Sequence, residues 1–218
     1  MAKDRAQKKS KDKWKEKTWY TILAPEYFGS KEIAVSLGSS PELMVDRNVE
    51  YSVSDLTGNL KKSNSKIVFR ITSCAGTKCS TAFVGHSVSD DYIKRMVRRR
   101  KERLDIVQTI YSADNSGMVC KLVIVTDGKL TNTKKLEIRK CAENFLQEKA
   151  KTLNYGDLVK YVIGDEIHND LAEAAKNIYP IRKIEIRKTE AMGLPPSVQE
   201  TYNEPPATDE PEKLEEAS

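Results

Sequence analysis

The sequence predicts an α+β fold: a mainly antiparallel β-sheet or barrel with about three packed helices. Three observations carry that prediction. Residues Lys66–Cys74 place Ile67, Phe69 and Ile71 in alternation with Val68, Arg70 and Thr72, the period of two expected of a half-buried strand. Asp105–Ser112 and Met118–Asp127 are rich in β-formers, and Ala113–Gly117 between them suits a hairpin loop. In Thr133–Lys151 the apolar residues Ile138, Cys141, Ala142, Phe145 and Leu146 recur at helical spacing instead. Strands and helices mix without a regular βαβ alternation, which disfavours a parallel sheet.

Read in order, the chain divides into three parts: residues 1–18, 19–193 and 194–218. The first alternates lysine with small or polar residues and has too little apolar surface to offset ordering, so a disordered arm is expected. Trp14 and Trp19-Tyr20 interrupt it; aromatics beside lysines stack on bases or anchor an arm to a body. Ala24-Pro25 and Gly29 mark the turn that opens the single globular domain. Weaker strands are expected at Ile33–Leu37, Asn48–Val53 and Ser80–Val84. Ser89 suits a helix N-cap, with Asp90 and Asp91 favourable against the helix dipole. Ile93, Met96, Val97 and Leu104 then form one apolar edge of a short helix. A third helix is expected from about Gly164-Asp165 to before Pro180, burying Ile167, Leu171, Ala174, Ala175 and Ile178. Ile181–Thr189 reads as a late strand with Ile184 and Ile186 on one face. Beyond Gly193, Pro195-Pro196, Pro205-Pro206 and Pro211 sit among acids, the pattern of a disordered acidic tail.

Charge separates these parts sharply. The first 20 residues carry +5 and the last 21 carry −6, so with a chain total of +5 the middle carries +6. Six of the nine residues Arg95–Arg103 are Arg or Lys. With Lys94, the set Arg95, Arg98, Arg99, Arg100, Lys101 and Arg103 is expected to crowd onto the helix that starts near Asp90. Only Glu102 and Asp105 lie close by, besides the first-turn aspartates, so the cluster is either a solvated face or, as its mutual repulsion favours, a site neutralised by an external anion. Arginine's planar fork matches phosphate oxygens. A basic arm on a body with its own arginine cluster therefore points to RNA, with Lys8, Lys9, Lys11 and Lys13 as phosphate contacts in the arm. Tyr92 and Trp14 are stacking candidates.

Other chemistries fit less well. No apolar run approaches the roughly 18 residues of a membrane span, and no apolar segment follows the basic start as in a secretory signal. Cys74, Cys79, Cys120 and Cys141 lack zinc-site spacing, and are expected as reduced core residues of a cytosolic protein. Asp165-Glu166-Ile167-His168-Asn169-Asp170 reads as acids at a helix N-terminus beside an exposed histidine rather than as a metal site. Gly85-His86-Ser87 is not a nucleophile elbow, and no P-loop, G-x-G-x-x-G or H-E-x-x-H occurs. No enzyme, cofactor or metal is expected.

Three passages resemble one known family. Trp19-Tyr20-Thr21-Ile22-Leu23-Ala24-Pro25-Glu26-Tyr27-Phe28 after a lysine-rich arm is similar to the opening of the archaeal and eukaryotic small-subunit ribosomal proteins called S-three-a-e. Phe83-Val84-Gly85-His86-Ser87-Val88-Ser89-Asp90-Asp91-Tyr92-Ile93-Lys94-Arg95-Met96-Val97 resembles the family's central strand-to-helix passage. Ile178-Tyr179-Pro180-Ile181-Arg182-Lys183-Ile184-Glu185-Ile186-Arg187-Lys188 resembles its closing helix-to-strand passage. The likeness spans about residues 13–195, and the short chain looks like an archaeal member.

The resemblance implies a cytoplasmic, ribosome-bound protein with a β-barrel-like body on the small-subunit platform, near the messenger exit. Small-subunit rRNA and neighbouring ribosomal proteins would be its partners, with mRNA or initiation factors as further candidates. The family has no catalytic residues to carry over, and its RNA contacts map only by segment, onto the arm and the helix near Asp90. A free RNA-binding or assembly factor shares the basic features and is the alternative.

Overall fold

The computed structural model describes residue 14 and residues 17–193. Its eight strands are β1 (Thr18–Leu23), β2 (Glu32–Gly38), β3 (Asn48–Ser52), β4 (Ser65–Ala75), β5 (Lys78–Val88), β6 (Glu102–Tyr111), β7 (Gly117–Thr126) and β8 (Ile181–Met192). The helices are α1 (Val53–Thr57), α2 (Asp90–Met96), α3 (Asn132–Thr152), α4 (Tyr155–Ile163) and α5 (Glu166–Ala175). No helix among the described residues is long and apolar enough to cross a membrane.

The α+β class holds, and between sheet and barrel the chain takes the sheet. Its order is β2-β1-β5-β8-β7-β6, with β4 and then β3 branching from β5. One edge of β5 pairs with β4 from Ser65↔Val88 to Ala75↔Lys78. The other edge is shared. Its start meets β1 in the sheet's parallel contact, Thr21↔Lys78 and Ile22↔Cys79. Its end meets β8 at Gly85↔Glu190, His86↔Thr189 and Ser87↔Lys188. β6, β7 and β8 form an antiparallel meander beyond that joint.

Helices α3–α5 cover one face. Ile138, Ala142, Leu146 and Ala150 of α3, Leu158 and Val162 of α4, and Ile167 and Leu171 of α5 share a core with Leu104, Ile106, Leu122, Ile124, Ile184 and Ile186 of the meander. Such burial, at roughly 25 cal/mol for each Å² of apolar surface, is the main term holding the layers together. A smaller core of Tyr20, Ile22, Met44, Ile71 and Cys79 closes the far end. The β6–β7 loop also seats α4: the Tyr155 N–H donates to Asp114 Oδ2 at 2.8 Å, and Asn115 takes the left-handed φ of 60° that the turn needs.

Three elements depart from the sequence reading. β1 starts at Thr18, ahead of the expected turn, because Trp19↔Leu37 and Tyr20↔Ser36 pair it with β2. α4 is a separate helix unmarked by the sequence pattern. The helix expected to carry the arginine cluster ends at Met96: Val97 is extended at φ −87°, ψ 115°, and Arg100 is left-handed at φ 67°. Leu104 is buried as part of β6, not as an apolar edge of that helix.

The cysteines also need correction. Cys74 and Cys79, opposite one another across the β4–β5 hairpin, form a disulfide, while Cys120 and Cys141 are free thiols. The hairpin register places their Cα atoms 4.0 Å apart, a proximity that a spacing of five residues does not reveal.

Candidate nucleic-acid interface

α2 projects from the end of β5 and docks against β8. Arg187 Nη2 lies 3.1 Å from Asp90 Oδ1, and Lys183 Nζ donates to the Tyr92 hydroxyl while sitting 4.6 Å from its ring centroid. Both the ion pair and the cation–π contact fix the helix axis relative to the strand. Ser89 has the extended conformation of an N-cap, but its side chain makes no capping bond.

The predicted cluster is split over three elements. Lys94 and Arg95 stand exposed on α2; Lys94 lies 3.8 Å from Asp91, and Arg95 Nε donates to the Asp91 carbonyl at 3.3 Å. Arg98, Arg99 and Arg100 form an exposed turn. Lys101 Nζ donates to the Asp127 carbonyl at 2.6 Å and its carboxylate at 2.9 Å. Arg103 on β6 donates twice to Asp105 Oδ1, at 2.9 and 2.8 Å.

The two acids closest in sequence are therefore occupied elsewhere. Glu102 accepts from the Leu130 N–H at 2.8 Å and pairs with Lys135 at 2.5 Å, which tie β6 to the start of α3. Asp105 serves Arg103. Among the described residues, Arg98, Arg99 and Arg100 have no ion pair, so three adjacent guanidinium groups face solvent uncompensated. An anionic polymer relieves that repulsion.

Sequence reasoning missed two members of this surface. Arg182 and Lys183 at the start of β8 line a cleft of about 440 Å³ together with Asn64, Tyr92, Arg95, Met96 and Arg98. Their signal was the basic pair one residue beyond Pro180, repeated as Arg187-Lys188 on the same strand. Among the predicted contacts, Lys8, Lys9, Lys11 and Lys13 lie outside the described residues. Trp14 is exposed, with Lys17 Nζ 4.1 Å from its ring centroid.

A second cleft, of about 410 Å³, opens on the other side of Tyr92, between α5 and β8. Lys62 Nζ is buried there, 3.1 Å from Asp165 Oδ1 and 3.8 Å from Glu185 Oε1. His168 belongs to this group and is largely buried, contrary to the exposed histidine expected from the sequence; its Nε2 is 3.8 Å from Glu185 Oε2. Burial, reinforced by the Lys62 ammonium, holds the His168 imidazole down at about 4. The same two causes, in the same order, hold His86 on β5 down at about 4. Burial pushes the Glu185 carboxyl up.

Acid sensitivity follows. Between its ordinary pKa of 6.5 and the folded value near 4, each histidine takes up a proton in the unfolded chain and refuses it in the folded one. Their contribution is whole above about pH 6.5 and is lost as the pH falls toward 4; Glu185 acts in the opposite sense. Urea denaturation should show stability falling by on the order of 2 kcal/mol from pH 7 to pH 5, and His168→Gln should flatten that slope. An unchanged slope in the variant would remove His168 from the account.

Similarity to known proteins identifies the family. The family model described as the Ribosomal S3Ae family matches residues 5–195. Over 205 residues the chain is 58% identical to the small ribosomal subunit protein eS1 of Thermoplasma acidophilum, covering 94% of this chain and 95% of that one. It is 56% identical over 194 residues to the protein of the same name from Thermoplasma volcanium, covering 89% and 90%. With the one from Saccharolobus islandicus it shares 36% over 189 residues, covering 85% and 89%. These sources are archaeal, as the short chain suggested. With the family match over nearly its whole folded length, the chain belongs to the Ribosomal S3Ae family.

Proposed function

We propose that the chain is a structural constituent of the small ribosomal subunit that holds folded rRNA through its backbone phosphates. The observation that carries this is the Arg98–Arg100 turn, without an ion pair among the described residues, whose Arg98 lines one cleft with Arg95 on α2 and Arg182-Lys183 on β8. Phosphate contacts fix position without reading sequence, which suits a protein that braces an RNA fold. The arm, with Lys8, Lys9, Lys11 and Lys13, extends this surface, and residues 19–193 form the body. Placement on the platform near the mRNA exit, with neighbouring ribosomal proteins against the body and mRNA or initiation factors within reach, completes the reading.

Sedimentation of native lysate through a gradient at about 0.5 M salt tests it, because affinity resting on phosphate contacts falls steeply with ionic strength. Near one copy per mature small subunit is the expected result. Recovery at the top of the gradient, or only in immature particles, would replace it with an assembly factor.

A further inference from the structure

Apart from Arg182 and Lys183, the cleft between α5 and β8 has no part in the phosphate contacts proposed above, and it adjoins them through those two residues and Tyr92, which line both clefts. It is built along an unfinished sheet edge. β8 pairs with β7 along nearly its whole length, but with β5 only at residues 188–190. Among the described residues no strand pairs with the other edge of residues 181–187, and that edge forms one wall.

The chemistry of the cleft is uneven in an informative way. Exposed cations Lys61, Arg182 and Lys183 line it together with the exposed Asp165 and the buried Glu185. Glu185 is only 6% exposed, but Lys62 and His168, at 3.8 Å each, are both beyond hydrogen-bond distance. The Tyr92 hydroxyl, which accepts from Lys183, lines the same cleft. Both ring nitrogens of His168 are buried without a hydrogen-bond partner. A buried carboxylate short of donors is costly, and a ligand that supplies donors relieves the cost.

We infer that this cleft receives one unstacked guanine of the bound RNA, with Glu185 accepting from the base and the Tyr92 ring beside it. The inference rests on the RNA-binding reading and adds a base-reading subsite to it. A volume of about 410 Å³ accommodates a single nucleotide. In its ionised form the Glu185 carboxyl only accepts hydrogen bonds, and in that form it favours a base edge with two adjacent donors. Guanine offers N1–H and the N2 amino group side by side. Adenine and cytosine each set an acceptor beside their amino group, and uracil flanks its single N–H with two carbonyls. The ribose-phosphate then lies outward, between Arg182 and Lys183, continuous with Arg95 and Arg98. Unstacked bases read on their pairing edge and stacked on aromatics are the usual mode for single-stranded RNA.

Fluorescence anisotropy of the full chain with short oligoadenylates carrying one central guanine, inosine, adenine or uracil tests the assignment. The guanine RNA should bind about tenfold or more tightly than the adenine and uracil RNAs, as a two-point base contact discriminates by that order. Inosine, lacking the N2 amino group, should fall between. Glu185→Gln should erase the preference, and Tyr92→Ala, on the surface helix, should weaken the guanine RNA more than the adenine RNA. The inosine comparison decides the matter even if Glu185→Gln fails to fold. Equal binding of all four RNAs overturns the guanine site and leaves phosphate binding standing. Loss of binding to every RNA, rRNA fragments included, overturns the proposed function itself.

Discussion

Reversing Arg95, Arg98 and Arg99 to glutamate is expected to keep the chain out of small subunits while leaving it folded. All three side chains are exposed, and among the described residues none has an ion pair to lose. Exposed changes of this kind usually alter stability by no more than about 0.5 kcal/mol each. The RNA loses three guanidinium partners and meets three carboxylates, so affinity for rRNA fragments should fall on the order of 10²–10⁴-fold. The slope of log affinity against log salt should shrink by roughly one for each contact removed.

Lys101→Glu and Arg103→Glu form the contrasting pair. Their cations already bind Asp127 and Asp105, so they should cost stability more than RNA affinity. Gradient sedimentation paired with thermal unfolding separates the two sets. If the triple variant enters subunits normally, the arginine turn is a solvated surface and the interface lies elsewhere.

The contrast between those two sets could not be seen in the sequence. Sequence reasoning takes Arg95–Arg103 as a single helix because Ser89, Asp90 and Asp91 start one and Ile93, Met96, Val97 and Leu104 extend its apolar edge. Long-range pairing decided otherwise: Glu102↔Thr126 through Tyr111↔Gly117 draws the segment into β6. Like charges three and four residues apart also make that helix unfavourable beyond Met96. Elements with a strong period of their own, β4, β7, α3 and β8, were legible within a few residues. α4 was not, since Gly156 and the β-branched Val159, Val162 and Ile163 lower its helix propensity, and burial supplies what propensity lacks. The proposed phosphate surface was half legible, as a run of arginines. The second cleft was not legible at all: Lys62, Tyr92, His168 and Glu185 come from four distant segments, and each alone looks like an ordinary polar residue.

Gly85→Ala is expected to be the most damaging single substitution in the body. A Cβ added at Gly85 would lie 2.5 Å from the Thr189 carbonyl oxygen, a backbone atom that cannot swing aside. The constraint is close approach of two strands. The position matters because three residue pairs, 85–87 with 188–190, are all that join β5 to β8. Through that joint the half-sheet of β1–β5 is held to the meander that carries α3–α5. The neighbours have no slack: Thr189 and His86 are buried on either side. Prying the strands apart would lose ladder hydrogen bonds and open the packing around Phe83 and His86, for a cost of about 3 kcal/mol or more. It would also shift β8 relative to α2, separating Arg182-Lys183 from Arg95 and Arg98. Chemical denaturation should show the loss directly. Where the variant still folds at low temperature, rRNA affinity should fall although no basic residue has changed. Wild-type stability in Gly85→Ala would mean that the β5–β8 joint is looser than the 2.5 Å approach requires.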